Sequence, residues 1–201
     1  MNIKIINYKA GNAPSVMHAL NHLNIKADLV DNGADLADAT HIILPGVGSA
    51  DATMKSLAEQ SFLAPLENFV LNKKVQFLGI CVGLQILLEH SAEGNVKTLG
   101  WIKGTVERFD NTKIRVPQMG WNKVNLKKSS IAKPVEDYFY FVNSYFAKPA
   151  NADDVWGSAT YSHEFCAAIN HKNIFGTQFH IEKSGPAGLN LLKKFCESEG
   201  A

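Results

Sequence analysis

A cysteine with a glycine two positions away on either side is the feature of the sequence best suited to chemistry. Cys81 lies between Gly79 and Gly83 in the segment LGICVGLQ, residues 78–85. A short apolar run predicts a strand before Cys81, and residues 82–89 have the pattern of a buried helix. A strand that turns sharply into a helix holds its central residue at positive φ and exposes that side chain at the sheet edge. The start of the helix also favours the thiolate, the reactive form of cysteine.

A cysteine nucleophile needs a base, and the base needs a group that orients it. His180 and Glu182 supply both residue types near the C-terminus, at the end of a predicted strand. In extended backbone, residues two apart project from the same face, so the carboxylate can hold one ring nitrogen while the other faces Cys81. Alone, Cys81 is as typical of a small buried core residue, and His180 of a solvated histidine. Together the three residues favour acyl transfer through a cysteine.

Acyl transfer also needs backbone N–H groups that bind the oxyanion. The residue after the nucleophile, here Val82, normally gives one donor. The loop of Gly46, Val47 and Gly48 is expected to give the second, since it follows a predicted strand and should reach the same sheet edge. A phosphate-binding loop has a similar composition, but the G-K-[ST] ending of such loops is absent from this segment.

The elements that must position these residues alternate between strand and helix in the first half of the chain. The predicted strands cover residues 3–7, 27–30, 41–44 and 75–78, and the predicted helices 14–23, 51–57, 62–72 and 82–89. This alternation predicts an α/β fold whose central sheet is mostly parallel, with helices on both faces.

The second half is rich in β-structure. Its predicted strands cover residues 101–107, 114–119, 138–145, 155–159, 166–170 and 174–178, and a last helix covers residues 186–196. No repeat, low-complexity stretch or linker divides the sequence, so we expect one domain over residues 1–201.

Composition excludes several classes of protein. The 201 residues carry a formal net charge of +1 with no basic stripe, so nucleic acid is not an expected partner. No apolar run approaches the ~20 residues that span a bilayer, and no signal peptide is evident. Three cysteines do not form a disulfide framework, which favours a cytoplasmic protein. His18 and His22 share a helix face without a third ligand nearby, so we predict no metal site.

Three segments together resemble the class I, triad-type glutamine amidotransferases. They are the Cys81 elbow, the LPGVG loop of residues 44–48 and the segment FGTQFHIEKS of residues 175–184. Their order and separation match, and the resemblance covers essentially the whole chain. Three further segments are similar to the glutaminase subunits of imidazole glycerol phosphate synthases, a branch of that class. They are YKAGN at residues 8–12 followed by Ser15-Val16, VPQMGWN at residues 116–122, and YFVNSY at residues 140–145.

The resemblance implies a single three-layer domain with a nucleophile elbow, and it implies a mechanism without a cofactor. Cys81 attacks the side-chain amide of glutamine, while the N–H groups of Val47 and Val82 hold the oxyanion. His180, oriented by Glu182, protonates the departing ammonia and then activates water. Gln85 helps to bind glutamine.

The resemblance also implies a heterodimer with a (β/α)8-barrel cyclase that consumes the ammonia in histidine biosynthesis. Candidate contacts with this partner are Asn12, Met119, Trp121, Tyr140 and Lys183. Independently of the family, the glutaminase parts use nearly all of the chain, so we expect a separate synthase to take the ammonia. Free hydrolysis would waste glutamine, and we therefore predict weak activity without the partner.

Four positions depart from the family pattern. Asn7 replaces an Asp that is often present, Gln118 and Asn143 replace histidines, and Ile181 replaces the proline between the catalytic histidine and glutamate. A β-branched residue at 181 still favours extended backbone. The alternatives are a paralogue that feeds ammonia to another synthase, such as one that amidates a sugar, a stand-alone cysteine peptidase or γ-glutamyl hydrolase, and a non-catalytic regulatory partner. The histidine replacements favour the first, whereas MGWN and the intact triad argue against the others.

Overall fold

The structure is a computed structural model that describes residues 1–8 and 11–198. Strands β1 to β13 are, in chain order, Ile3–Ile6, Asp28–Val30, His41–Gly46, Gln76–Cys81, His90–Ser91, Val96–Lys97, Gly104–Arg108, Gln118–Leu126, Val135–Asn143, Tyr145–Pro149, Val155–Tyr161, His163–His171 and Ile174–Thr177. Helices α1 to α5 are Ala13–His22, Ala50–Glu59, Leu63–Glu67, Val82–Gln85 and Gly185–Cys196. The predicted turn at residues 8–12 includes Lys9 and Ala10, which lie outside the described residues.

The described strands form one mixed sheet around a parallel centre. Five adjacent strands, in the order β2-β1-β3-β4-β13, run parallel. Beyond β13 the pairing becomes antiparallel through β12, β10 and β7, and β11, β8 and β9 branch from β12. The predicted α/β fold with a β-rich second half is confirmed.

The central strands are buried on both faces, as expected when helices cover a parallel sheet. Every residue of β3 and of β4 is buried. Helix α1 contacts β1, β3 and α5, and its buried residues Val16, Ala19 and Leu20 form the apolar face that the sequence predicted. Because β3 and β4 are parallel neighbours, their carboxyl ends bring Gly46 opposite Cys81. None of the described helices is long and apolar enough to cross a membrane.

The helix after Cys81 is shorter than predicted. The sequence predicted a helix over residues 82–89, but α4 ends at Gln85. The carbonyls of Ile86, Leu87 and Leu88 accept instead from the N–H groups of residues 99, 102 and 100, at 2.9, 3.0 and 2.7 Å. The N–H groups that a helix reaching residue 89 would need also bond elsewhere: those of Leu87 and Leu88 donate to carbonyls three residues back, and that of Glu89 donates to the Gly104 carbonyl at 3.1 Å. Long-range bonds therefore override a favourable local pattern.

Other boundaries also differ from prediction. Strand β7 begins at Gly104 rather than at residue 101, and the predicted strand 138–145 is divided between β9 and β10. Residues 114–117 are not strand, and β8 begins only at Gln118. The predicted helix 62–72 is split into α3 and a π-helical segment, Asn68–Asn72. Because the π segment widens the final turns, the helical prediction holds in extent but not in type.

Candidate active site

Cys81 lies on a strained turn between β4 and α4. Its φ of 57° and ψ of −108° confirm the predicted positive-φ elbow. The flanking glycines are required by close backbone contacts. A Cβ on Gly79 would lie 2.3 Å from the carbonyl oxygen of Gly83, and one on Gly83 would lie 2.1 Å from that of Leu44. The elbow is thus closed by direct backbone packing that any larger residue would separate.

The sulfur of Cys81 has three polar neighbours. It is hydrogen-bonded to the side chain of His180, it lies 3.9 Å from the carbonyl oxygen of Val142, and the Gln178 amide donates to it at 3.7 Å. Cys81 is only 5% exposed. A buried thiol beside an imidazole is the arrangement in which the proton passes from sulfur to nitrogen.

His180 and Glu182 are in contact, but not through extended backbone. Strand β13 ends at Thr177, and Glu182 lies in the 3-10 turn Ile181–Lys183 that follows His180. The prediction of a shared strand face, and of extended backbone at Ile181, is therefore wrong. The turn still brings Nδ1 of His180 to 2.9 Å from Oε1 of Glu182.

Burial and hydrogen bonds shift the pKa of His180 in opposite directions. Burial by itself lowers the pKa of its ring, but the hydrogen bonds to Cys81 and Glu182 outweigh burial and raise the pKa to about 10. The Glu182 side chain is 1% exposed, and its second oxygen, Oε2, has no hydrogen-bond partner among the described residues. The hydrogen bonds to Cys81 and Glu182 therefore favour the protonated form of the His180 ring.

The predicted oxyanion loop lies beside the elbow. A Cβ on Gly46 would meet the Gly83 nitrogen at 2.6 Å, so only glycine allows this approach. The N–H of Val47 is not available to an oxyanion, because it donates to the hydroxyl of Tyr8. Tyr8 is fully buried, and burial raises the pKa of its hydroxyl despite hydrogen bonds with Thr53 and Val47. One of the two predicted donors is thus already engaged within the protein.

A cavity of about 270 Å³ opens over the sulfur. Its lining includes the predicted residues Val47, Gly48, Cys81, Val82, Gln85 and His180, together with Glu93, Pro117, Val142, Asn143, Ser144 and Tyr145. The structure therefore brings Cys81, His180, Gln85 and most of the predicted oxyanion loop to one space.

Two amide oxygens in the cavity wall have no hydrogen-bond donor within the described part of the chain. Gln85 donates through Nε2 to the Tyr145 carbonyl and to Gln178 Oε1, both at 3.1 Å, and Asn143 donates to the same carbonyl at 2.9 Å. Their oxygens, Gln85 Oε1 and Asn143 Oδ1, are buried without a partner among the described residues. Both residues are at most 5% exposed. Unpaired buried acceptors of this kind are costly unless a ligand supplies the donor.

Sequence reasoning missed Glu93 and Gln178. The Glu93 carboxylate lies in the cavity wall and accepts from the Ala50 N–H at 3.1 Å, while burial raises its pKa. Gln178 donates through its amide nitrogen to the Cys81 sulfur and accepts through its amide oxygen from Gln85. Its position two residues before His180 was an available signal, whereas no local pattern distinguishes Glu93 from a surface carboxylate.

The residues predicted to contact a partner fall into two groups. Met119 and Trp121 are 68% and 56% exposed, and the Trp121 ring lies 5.9 Å from that of Tyr140. Lys183 is exposed and ends the 3-10 turn Ile181–Lys183 that follows His180. Asn12 is different, because its amide points at the site and donates to Glu182 at 2.9 Å.

Comparison with known proteins agrees with this geometry. The chain matches the class-I glutamine amidotransferase family over residues 4–198. Imidazole glycerol phosphate synthase subunit HisH of Leptospira borgpetersenii is 39% identical over 201 residues, which cover 96% of this chain and 98% of that protein. The subunit of the same name from Bdellovibrio bacteriovorus is 41% identical, with coverage of 97% and 99%.

Solved structures agree in fold. A crystal structure of a glutamine amidotransferase has a TM-score of 0.78 at 18% identity and covers 97% of each chain. PurLQS from Thermotoga maritima has a TM-score of 0.76 at 17% identity, again with 97% of each chain covered. Through its family match over nearly its whole length and its HisH relatives, the chain belongs to the class-I glutamine amidotransferase family.

Proposed function

We propose that this protein is the glutaminase subunit of an imidazole glycerol phosphate synthase. It hydrolyses glutamine to glutamate and ammonia, and it passes the ammonia to a (β/α)8-barrel cyclase in histidine biosynthesis. The observation that carries the proposal is the hydrogen-bonded series of Cys81, His180 and Glu182, of which Cys81 and His180 line one cavity. The HisH relatives support the choice of synthase. A nucleophilic thiol needs a reducing compartment, so we place the reaction in the cytoplasm.

The first half of the reaction forms a thioester. The Cys81 thiolate attacks the side-chain carbonyl carbon of glutamine, and the oxyanion that forms is held by the N–H of Val82 and, once released from Tyr8, that of Val47. The carbon–nitrogen bond then breaks as the protonated ring of His180 gives its proton to the leaving NH2 group, which departs as ammonia. The acyl group remains bonded to the sulfur.

The second half releases glutamate. His180 is now neutral, and its Nδ1 remains hydrogen-bonded to Glu182. The ring takes a proton from water, and the hydroxide attacks the thioester. The carbon–sulfur bond breaks, glutamate leaves, and the thiolate beside a protonated imidazole is restored. Glu182 stabilises this imidazolium and fixes the orientation of the ring.

The cavity has the polar groups that glutamine requires. Glutamine carries N–H donors at both ends, on its ammonium and on its amide. We assign the Glu93 carboxylate to the ammonium, because it is the charged acceptor in the cavity wall outside the triad. The unpaired oxygens of Gln85 and Asn143 are assigned to the remaining N–H donors of the substrate. Binding of glutamine would thus satisfy acceptors that otherwise stay desolvated and unbonded.

A partner surface lies next to the catalytic histidine. We define the docking face as Met119, Trp121, Tyr138, Tyr140 and Lys183. Its apolar members lie on one face of the β8–β9 hairpin, since strand residues alternate in direction and Trp121 is paired with Tyr140. The backbone N–H of His180 donates to the Tyr140 carbonyl at 2.9 Å. We assign the cyclase to this face, with Trp121 as an aromatic anchor and Lys183 opposite an acidic group of the partner.

The proposal is tested by mixing the protein with a candidate cyclase and measuring glutamate production, with and without the cyclase's ribulosyl-phosphate substrate. We expect weak hydrolysis by the isolated chain and strong stimulation by the loaded partner. Cys81→Ala should abolish hydrolysis while leaving the complex intact. Absence of both binding and stimulation would contradict the choice of partner, and stimulation by a different synthase would favour the paralogue. Full activity in the isolated chain would contradict the dependence on a partner.

A further inference from the structure

Asn12 contacts the triad from the opposite end of the sequence. Its Nδ2 donates to Oε1 of Glu182 at 2.9 Å. The same oxygen accepts from Nδ1 of His180, also at 2.9 Å. One carboxylate oxygen thus receives two N–H donors, one from the catalytic ring and one from a residue 170 positions away.

This contact replaces the ordinary role of an asparagine at the start of a helix. Asn12 is the N-cap residue of α1, where an asparagine side chain usually accepts from the first backbone N–H groups. It makes no such bond with the residues that the structure describes. By contrast, Asn32 and Asn151 cap short 3-10 helices of this chain, accepting from the N–H groups of Ala34 and Asp153 at 2.9 and 3.1 Å. Asn12 alone of these three caps directs its side chain to the site, and departures from local rules concentrate at functional positions.

Glu182 has few other restraints. Its side chain is 1% exposed, so water does not hold it, and Oε2 has no partner among the described residues. It lies in a short 3-10 turn rather than in a regular helix or strand. The two donors on Oε1 therefore set the direction of the carboxylate, and one of them, His180, is itself the group that must be oriented. Asn12 is the donor on Oε1 that does not belong to the triad.

We propose that Asn12 is a positioning residue of the triad. By donating to Oε1, it holds the Glu182 carboxylate against His180 and links the start of α1 to the catalytic ring. Without this donor the carboxylate can turn about its side-chain bonds, and His180 spends less time facing Cys81. This inference rests on the proposed glutaminase function and adds to it a residue that touches neither the substrate nor the sulfur.

The test compares Asn12→Ala and Asn12→Asp with wild type in the complex with the cyclase and its substrate. Asp keeps the shape and the capping ability of Asn. We therefore expect Asn12→Asp to fold, so that a loss of activity in this variant reports on the contact with Glu182. Losing a hydrogen bond to a charged group lowers kcat for glutamine by about ten- to hundredfold, and KM should change little. Asp should be at least as impaired as Ala, because two carboxylates then face each other. Asn32→Ala is the matched control and should retain the wild-type kcat.

Two further readouts separate the possible failures. Supplying ammonium salt in place of glutamine tests the cyclase and the complex alone, and all variants should perform equally. The NMR titration of His180 should give a lower pKa in Asn12→Ala than in wild type. Unchanged kcat and unchanged titration in both variants would overturn the positioning role. A wild-type complex that does not turn over glutamine would contradict the proposed function instead, and the titration would still test the Asn12 contact.

Discussion

Replacing Tyr8 with Phe should activate the isolated subunit. The Tyr8 hydroxyl accepts the Val47 N–H, one of the two donors that we assign to the oxyanion. Tyr8 is fully buried, so water cannot take the place of its hydroxyl as the acceptor of the Val47 N–H. Phe retains the ring and removes only the hydroxyl. In this variant the Val47 peptide breaks no hydrogen bond to residue 8 when it turns toward the Cys81 sulfur. The arrangement in which the Val47 N–H can bind the oxyanion therefore becomes more populated.

The size of the effect follows from one hydrogen bond. A neutral hydrogen bond contributes about 0.5–1.5 kcal/mol net, which corresponds to about a two- to twelvefold change in population. We therefore expect kcat of the isolated chain to rise about two- to twelvefold. Loss of a complete oxyanion donor costs on the order of 10²–10³ in rate, so this increase stays well below full activation. The rate of the stimulated complex should not change, since Val47 is already released there.

The assay is glutamate production by the isolated subunit and by the complex. Thr53→Val is the matched control, because it removes the other hydroxyl near Tyr8 Oη, 3.5 Å away, and leaves the bond to Val47. This control should keep the low rate of the free wild type. A Tyr8→Phe variant whose free rate is unchanged or lower, with the fold intact, would refute the argument that Tyr8 holds the donor back.

Three further predictions concern thiols, pH and packing. Iodoacetamide at about pH 8 should label Cys81 alone, seen by mass spectrometry, because burial raises the pKa values of Cys166 and Cys196 to about 12. Burial lowers the pKa of His41 below its ordinary 6.5. The stability that the neutral ring contributes is therefore complete above pH 6.5, and it is lost as the pH falls below 6.5 and through the lowered pKa. His41→Gln should therefore lose less Tm than wild type between about pH 7.5 and 5.5. Gly46→Ala places a Cβ 2.6 Å from a backbone nitrogen of α4, and should lower kcat and cost about 1–3 kcal/mol in urea unfolding.

The parts of the site that depend on local sequence were predictable. The G-x-C-x-G spacing predicts a positive φ at Cys81, because the two glycines permit the close backbone contacts that such a turn requires. The parallel centre of the sheet followed from alternating apolar runs, which burial on both faces imposes on β3 and β4.

The parts that depend on long-range contacts were not predictable. Helix α4 stops at Gln85, and the N–H of Glu89, which a longer helix would use, donates to the distant Gly104 carbonyl; no pattern within 82–89 carries that information. His180 meets Glu182 through a 3-10 turn rather than a strand, since the spacing of two is compatible with both. The sequence predicted that Asn12 contacts a partner, whereas in the fold its side chain donates to Glu182.

Transfer of the glutamine amide nitrogen tests the central claim most directly. The complex with the candidate cyclase and its substrate is supplied with glutamine labelled with 15N in the amide, together with excess unlabelled ammonium. We expect the imidazole product to carry 15N, and a complex with Cys81→Ala to incorporate only unlabelled nitrogen. A wild-type product that takes its nitrogen from the ammonium in solution would contradict the claim that Cys81 supplies ammonia to the partner.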